Sequence, residues 1–339
     1  MHAVFRCDAT TDIGFGHLSR CLALGEAFAL HGLACTFAGK FARTAKDQIE
    51  AAGFKHIGLK APVNGIPRGD EETAINCKHP ADFVVVDSYR ADVAYLKHLR
   101  NAGFATLVID DFCKLEAYPC DAILNFTWEA PTLDYPKAPA LILGHNYLLA
   151  RRKLVERRKQ SVERQRGGEL KNLFVAIGGS DPKGLALRIV RVLGAINRDV
   201  VVRVLGQASA ELSSAVECFA KGSAVIAPQP DLSEQFLWSD VAITGGGLIK
   251  YESAYMGVPA AAIAQNEGQD GETKVFSGAG LVFDLGLADT VSDDELADRL
   301  NTFLSDAAMR ANMARLMRSS FVADPSGNAA KAILEALER

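Results

Sequence analysis

The chain has 339 residues, 49% of them apolar and 23% charged, a balance typical of globular proteins that excludes a disordered polymer. A net charge of -4 gives no overall attraction to nucleic acid or to an anionic membrane. The length fits about two domains, each large enough to bury a core.

Cys7, Cys21, Cys35, Cys77, Cys113, Cys120 and Cys218 are odd in number and form no Cys-x-x-Cys pair. Neither a disulfide framework nor a zinc site is expected, and a reducing cytoplasm is the natural setting. Arg6 and Asp8 stand where a signal peptide would need its apolar core. No apolar run approaches the roughly 18 residues of a membrane span, so no membrane insertion is expected.

In chain order, Ala3 to Phe5 reads as a strand, followed by a polar loop with Asp8, Thr10, Thr11 and Asp12, and a helix entered after Gly14 and Gly16. Two glycines at such a turn let the backbone bend freely and leave room for a substrate near the main chain. Leu18, Cys21, Leu22, Gly25 and Ala29 recur at helical spacing and should face a sheet, whereas His17 and Arg20 share another face. Ligands of open α/β sheets bind beyond the carboxyl ends of strands, where this loop lies. The positive end of a helix disfavours an imidazolium, so His17 can be a neutral proton acceptor. The bland alternative is a histidine that caps or packs; the glycines, Asp8 and Arg20 favour chemistry. Ser19 stands where the dinucleotide fingerprint needs its third glycine, so no nicotinamide cofactor is expected.

The first helix should end near His31-Gly32, followed by a strand at Ala34 to Ala38, a helix at Thr44 to Ala52 and a mobile loop at Leu59 to Glu71. Phe83 to Asp87 is a continuous apolar strand of the kind buried on both faces in parallel sheets. Ala91 to Ala102 is helical, and Thr106 to Ile109, Ala122 to Asn125 and Ala140 to Leu143 are further strands. This alternation predicts a doubly wound α/β domain over 1–150. Its strand ends carry Arg6 and Asp8, Asp87 and Tyr89, and Asp110 and Asp111. Each alone is ordinary turn chemistry; gathered at one sheet edge they make a site. Asp110 and Asp111 are adjacent on a strand end and should point in opposite directions, which argues against a metal.

Arg151 to Arg166 holds eight Lys or Arg against Glu156 and Glu163, and reads as a solvated, partly helical linker over 151–170. No aromatic interleaves it, so a nucleic-acid surface is not expected. The second half repeats the pattern over 171–323. Strands are expected at Leu173 to Ile177, Val200 to Val204, Ala224 to Ile226, Val241 to Thr244, Ala260 to Ile263 and Leu281 to Phe283, with a helix at about Lys183 to Ile196. Two glycine turns, Gly178-Gly179-Ser180 and Gly245-Gly246-Gly247, sit where a strand becomes a helix. Free amides at such a helix start bind phosphate, and Glu252 could accept hydrogen bonds from a ribose. The helix after the triplet should close at Gly257, with Pro259 just beyond. Gln265 to Gln269 is a polar loop on the same edge, and 324–339 reads as a final helix.

Arg6-x-Asp8, the run Ile13 to His17 with Arg20, Asp87-x-Tyr89, Asp110-Asp111, Gly178 to Pro182, the glycine triplet with Glu252, and Asn266 to Gln269 together resemble one family. It is the UDP-sugar hydrolases of the pseudaminic acid pathway, related to the lipid II glycosyltransferase and the spore coat polysaccharide proteins. The resemblance implies a GT-B fold: two doubly wound Rossmann-like domains facing a cleft, the sugar toward the first and UDP on the second. It implies cleavage of a UDP-linked 2,4-diacetamido-2,4,6-trideoxy hexose by inverting water attack, with no cofactor and no metal. His17 matches the catalytic base. Asp8, Gly14, Gly16, Arg20, Tyr89, Asn266 and Gln269 are expected on the substrate, and Gly178, Gly179, Ser180, Gly246, Gly247, Leu248 and Glu252 on the nucleotide. Leu248 and Ile249 depart from the family, whose members carry small hydroxyl residues there. Alternatives are a glycosyltransferase using a UDP-sugar donor and a non-catalytic nucleotide-sugar binding protein.

Overall fold

The protein is described by a computed structural model covering residues 1–66, 69–75, 82–136, 140–164, 166, 168–178, 181–196 and 199–337. It folds as two compact units, one formed by Met1–Arg152 with Asp324–Arg339 and the other by Lys153–Ala323.

The first unit runs β1 (His2–Cys7), α1 (Gly16–Leu30), β2 (Ala34–Gly39), α2 (Arg43–Ala51), β3 (Lys55–Gly58), α3 (Asp70–Ile75), β4 (Phe83–Asp87), α4 (Val93–Asn101), β5 (Ala105–Ile109), β6 (Ala122–Asn125) and β7 (Ala140–Leu143). The second runs α5 (Arg152–Glu163), β8 (Asn172–Ala176), α6 (Leu185–Ile196), β9 (Val201–Leu205), α7 (Ala210–Glu217), β10 (Ala224–Ile226), α8 (Ser233–Trp238), β11 (Val241–Gly245), α9 (Leu248–Tyr255), β12 (Ala260–Ala264), α10 (Glu267–Gly278), β13 (Phe283–Leu287), α11 (Asp293–Ser305) and α12 (Ala307–Ser320). The last helix, α13 (Pro325–Leu337), returns to the first unit.

The first sheet has the order β3-β2-β1-β4-β5-β6-β7 and the second β10-β9-β8-β11-β12-β13; every pairing is parallel. Parallel strands need helical crossovers, which cover both faces, so the central strands β4, β11 and β12 are buried along their whole length. In the first unit Val4, Val84, Val86, Leu96, Leu99 and Ile123 form the middle of the core.

Several expectations are corrected. The sequence reading passed over β3, whose four residues, Lys-His-Ile-Gly, carry little apolar pattern. The loop that begins at Leu59 is tied down, since Leu59 and Val63 are buried and Val63 donates its amide to Asp8 at 2.9 Å. Ala29 is exposed together with Leu30, so the buried stripe of α1 stops before the helix does. The last strand lies at Phe283–Leu287, two residues later than read, beside an irregularity in register at Ala262 to Ala264.

The basic segment is no solvated linker. Arg158 and Arg166 are buried, donating to the carbonyls of Tyr255 and Phe321 and of Ser239, Phe236 and Ser161. Burial disfavours the charge of Arg166 and, with Arg164 adjacent, pulls its pKa down to about 9; the carbonyl oxygens of helix ends offset that desolvation.

Candidate active site

The first sheet reverses direction at β1: β2 and β3 lie to one side, β4 and later strands to the other. A crevice opens at the carboxyl ends of the strands that flank such a reversal. The chain after β1 delivers His17 there, on the first turn of α1, and β4 ends there on Asp87. Cys7 is in register with Asp87 and Arg6 with Val86, so Arg6 and Asp87 point to opposite sheet faces. Asp87 lies under α1; Arg6 turns to Asp8 at 2.7 Å and Glu71 at 2.6 Å.

Asp87 is fully buried and holds two groups of α1. Its Oδ1 is 2.6 Å from Nδ1 of His17, and Arg20 donates to both its oxygens at 2.6 Å. Arg20 also donates through Nη1 to both oxygens of Asp111 at 2.8 Å. The Tyr89 hydroxyl donates to Asp111, and the Tyr89 ring meets His17 edge-on with centroids 4.6 Å apart. One guanidinium thus joins two strand-end carboxylates, a histidine and a tyrosine. His17 and Arg20 are three residues apart, which is why one helix face serves both.

Charge settles the proton positions. Burial pushes the Asp87 carboxyl up, but Arg20 and His17 outweigh it and hold it well below the usual carboxylate range. Asp111 and Asp87 likewise keep Arg20 charged against its burial. An ionised oxygen 2.6 Å from a ring nitrogen requires the proton to lie on that nitrogen, so neutral His17 carries it on Nδ1. Its Nε2, with no hydrogen bond among the described residues, is then a lone-pair acceptor.

The other expected substrate residues divide. Asp8 is buried with both oxygens occupied, by Arg6, the Lys40 amide at 2.8 Å and the Val63 amide. It thereby anchors two loops to the end of β1. Gly14 has φ +86°, a conformation L-residues avoid, so its glycine is explained by the turn. Gly16 differs, because a Cβ there would meet nothing within 4 Å. Asp110 turns away from Asp111, accepting from the Cys113 amide at 2.7 Å and the Tyr135 hydroxyl at 2.6 Å. Among the described residues no group of three or more His, Cys, Asp or Glu could hold a metal.

The second sheet reverses at β8 and β11 in the same way, and the two glycine turns follow those strands. A Cβ on Gly245 would lie 2.0 Å from the Ile177 carbonyl oxygen, and one on Gly246 would crowd Thr273, Gln269 and Ala264. These two glycines are required by packing; Gly247, with only Gln269 at 3.6 Å, leaves open the approach to α9. Leu248 and Ile249 are half-buried and Glu252 is buried on α9. Asn266 caps α10 by accepting from the Gln269 amide at 3.0 Å, and Gln269 accepts from the Gln265 amide at 3.0 Å, bracing this loop over the glycines. At the other turn, the Asp181 carboxylate already caps α6 through the Leu185 and Ala186 amides at 2.9 and 2.8 Å. Gly178 precedes it, and Gly179 and Ser180 lie outside the described residues. Sequence reading missed Lys250, fully buried with its ammonium on the Gly246 carbonyl and on Glu272 at 2.9 Å, which also accepts from Tyr251 at 2.7 Å. No motif marks this pair, since its carboxylate comes from α10, 22 residues away.

No family model matches the chain. It is similar to an uncharacterized Methanocaldococcus jannaschii protein, MJ1062, 23% identical over 77% of this chain and 55% of that one. It is 30% identical to the spore coat polysaccharide biosynthesis protein SpsG of Bacillus subtilis over 43% of this chain and 44% of that one. It is 25% identical to the UDP-2,4-diacetamido-2,4,6-trideoxy-beta-L-altropyranose hydrolase of Campylobacter jejuni over 57% of this chain and 66% of that one. The chain thus spans about half to two thirds of the length of these relatives. Among solved structures, the spinosyn forosaminyltransferase SpnP superposes with a TM-score of 0.64 at 14% identity, covering 100% of both chains. LpCGTa in complex with UDP gives a TM-score of 0.66 at 14% identity, covering 100% of this chain and 99% of that one. The two parallel, doubly wound sheets and these likenesses identify the fold as GT-B.

Proposed function

We propose that the protein is a nucleotide-sugar hydrolase that releases UDP from a UDP-linked 2,4-diacetamido-2,4,6-trideoxy hexose, within nonulosonic (pseudaminic) acid biosynthesis. The observation that carries this reading is the His17 imidazole, its Nδ1 bound to an ionised Asp87 and its Nε2 without a hydrogen-bond partner among the described residues. The similarity to a Campylobacter jejuni hydrolase of such a sugar supplies the substrate class.

In this mechanism a water on Nε2 attacks the anomeric carbon from the face opposite the diphosphate. The new C1–O bond forms as the bond to the diphosphate oxygen breaks, the water proton passes to Nε2, and configuration inverts. Asp87 stabilises the imidazolium so formed. UDP leaves with the bonding electrons; the amides of α9, reached past Gly247, stabilise its charge, and Glu252 takes the ribose. UDP is a good leaving group, so no strong general acid is needed. A base of this kind contributes about 10²- to 10⁴-fold.

His17→Ala should lower turnover by that factor and leave UDP affinity unchanged; a variant that turns over at the wild-type rate removes His17 from the chemistry. Reaction in ¹⁸O water with no acceptor tests the reaction class. Label in the free sugar marks attack at C1, and label in UDP marks attack at phosphorus. No UDP release favours the second reading, a UDP-sugar glycosyltransferase with the same base acting on an acceptor hydroxyl, which the likeness to SpnP supports.

A further inference from the structure

We propose that Tyr89 offers its phenolic oxygen to the ligand as a hydrogen-bond acceptor, and so selects a donor group, a hydroxyl or an amide N–H, at that point of the sugar. The inference rests on the reading of the first unit as the sugar-binding one.

A phenol has one proton, and that of Tyr89 is committed to Asp111. Asp111 is itself held by two bonds from Arg20 at 2.8 Å, so both of its oxygens face donors and act as acceptors. What Tyr89 has left is lone pairs, and no donor among the described residues reaches them. Its ring, 63% exposed, stands beside His17, so a sugar placed for attack by a water on Nε2 would meet it. A phosphate or carbonyl oxygen there would face lone pairs and be repelled. At its hydroxyl end, which lies on the buried Asp111, desolvation first and then the Asp111 charge push the pKa above the ordinary tyrosine range, with Arg20 only partly opposing.

Asp111 is then a positioning residue: it takes the Tyr89 proton on Oδ2, the oxygen that also accepts from Arg20 at 2.8 Å. In Asp111→Ala that acceptor is gone, and the hydroxyl is free to turn its proton toward the ligand instead of accepting from it.

The test is a double-mutant cycle by calorimetry in a His17→Gln background, titrating UDP-2,4-diacetamido-2,4,6-trideoxy-β-L-altropyranose and, separately, UDP. Tyr89→Phe should weaken the UDP-sugar roughly 3- to 10-fold relative to UDP, the worth of one hydrogen bond. Asp111→Ala should weaken it as well. Added to Tyr89→Phe, it should cost nothing further, because Asp111 acts on the ligand only through the hydroxyl. Should Asp111→Ala fail to fold, infrared difference spectra of ring-labelled tyrosine, wild type against Tyr89→Phe, read the same point. The Tyr89 C–O stretch should move from a donor-only to a donor-and-acceptor position when the UDP-sugar, but not UDP, is added. An Asp111→Ala penalty that persists without the hydroxyl, no spectral shift, or no affinity for the UDP-sugar beyond that for UDP overturns the proposal. The cycle reads affinity without the base, so a wild-type protein that binds the UDP-sugar and releases no UDP sinks hydrolysis and not this polarity.

Discussion

Asp87 is the residue on which the charges of the first unit converge. It serves His17, one edge of Arg20 through Nε and Nη2, and the Cys21 thiol at 3.4 Å, while wholly removed from water. Removing one partner of a buried ion pair costs about 3 to 5 kcal/mol; because Arg20 retains Asp111, Asp87→Asn should cost about 3 kcal/mol in chemical denaturation. Turnover should fall about 10²- to 10⁴-fold as well, since the amide no longer fixes the proton on Nδ1. The carboxylate also makes stability depend on pH. Its pKa is depressed in the folded state, so on acidification the unfolded chain takes up the proton first. The stabilisation is complete above the unfolded value of about 3.9 and declines below it. Wild-type melting temperature should therefore drop between about pH 5 and about pH 3 more steeply than that of Asp87→Asn. Equal slopes would place the acid-sensitive group elsewhere.

Among the elements, the turn into α9 separates glycines by cause. Gly245 cannot accept a Cβ, which would lie 2.0 Å from the Ile177 carbonyl oxygen; Gly247 can. Gly245→Ala must push β11 from β8 and should destabilise the second unit by about 3 kcal/mol or more. Gly247→Ala should change stability by less than about 0.5 kcal/mol yet weaken UDP, because the methyl group stands in the approach to the α9 amides. If both variants bind UDP as the wild type does, the nucleotide is not at this turn. Composition misled at α5. Its basic run looks solvated by charge count, but Arg158 and Arg166 end on backbone carbonyls of α8, α9 and the α12 terminus. Charge count cannot reveal this, because the acceptors are main-chain groups that carry no sequence signal.

At the scale of the whole molecule, the chain leaves its first unit at α5 and returns to it with α13. Ser326 ties the return, accepting from the Ala150 amide at 2.8 Å and donating to the Ala150 carbonyl at 2.7 Å. α13 also covers α1, the helix that carries His17 and Arg20. Truncation after Ala323 should lower the melting temperature of the first unit and leave that of the second unchanged, read as two transitions by calorimetry. A parallel loss in both would mean the units do not melt independently.

The sequence by itself determined the alternation of strand and helix, the position of most strands to within one residue, and the place of His17 on the first turn of a helix. Those follow from local rules: apolar runs of five residues, glycines at strand ends, and a histidine at helical spacing from an arginine. It named Asp87 and Asp111 only as strand ends. Only the tertiary structure decided that one guanidinium would bridge them, that Asp8 would hold two loops, and that Arg158 of α5 and Arg166 beyond it would be buried. The first two depend on which strand lies beside β1, and the third on main-chain acceptors that carry no sequence signal. Parallel pairing brings together residues about 70 to 90 positions apart, as His17 with Asp87 and Arg20 with Asp111, through crossovers whose order leaves no local trace.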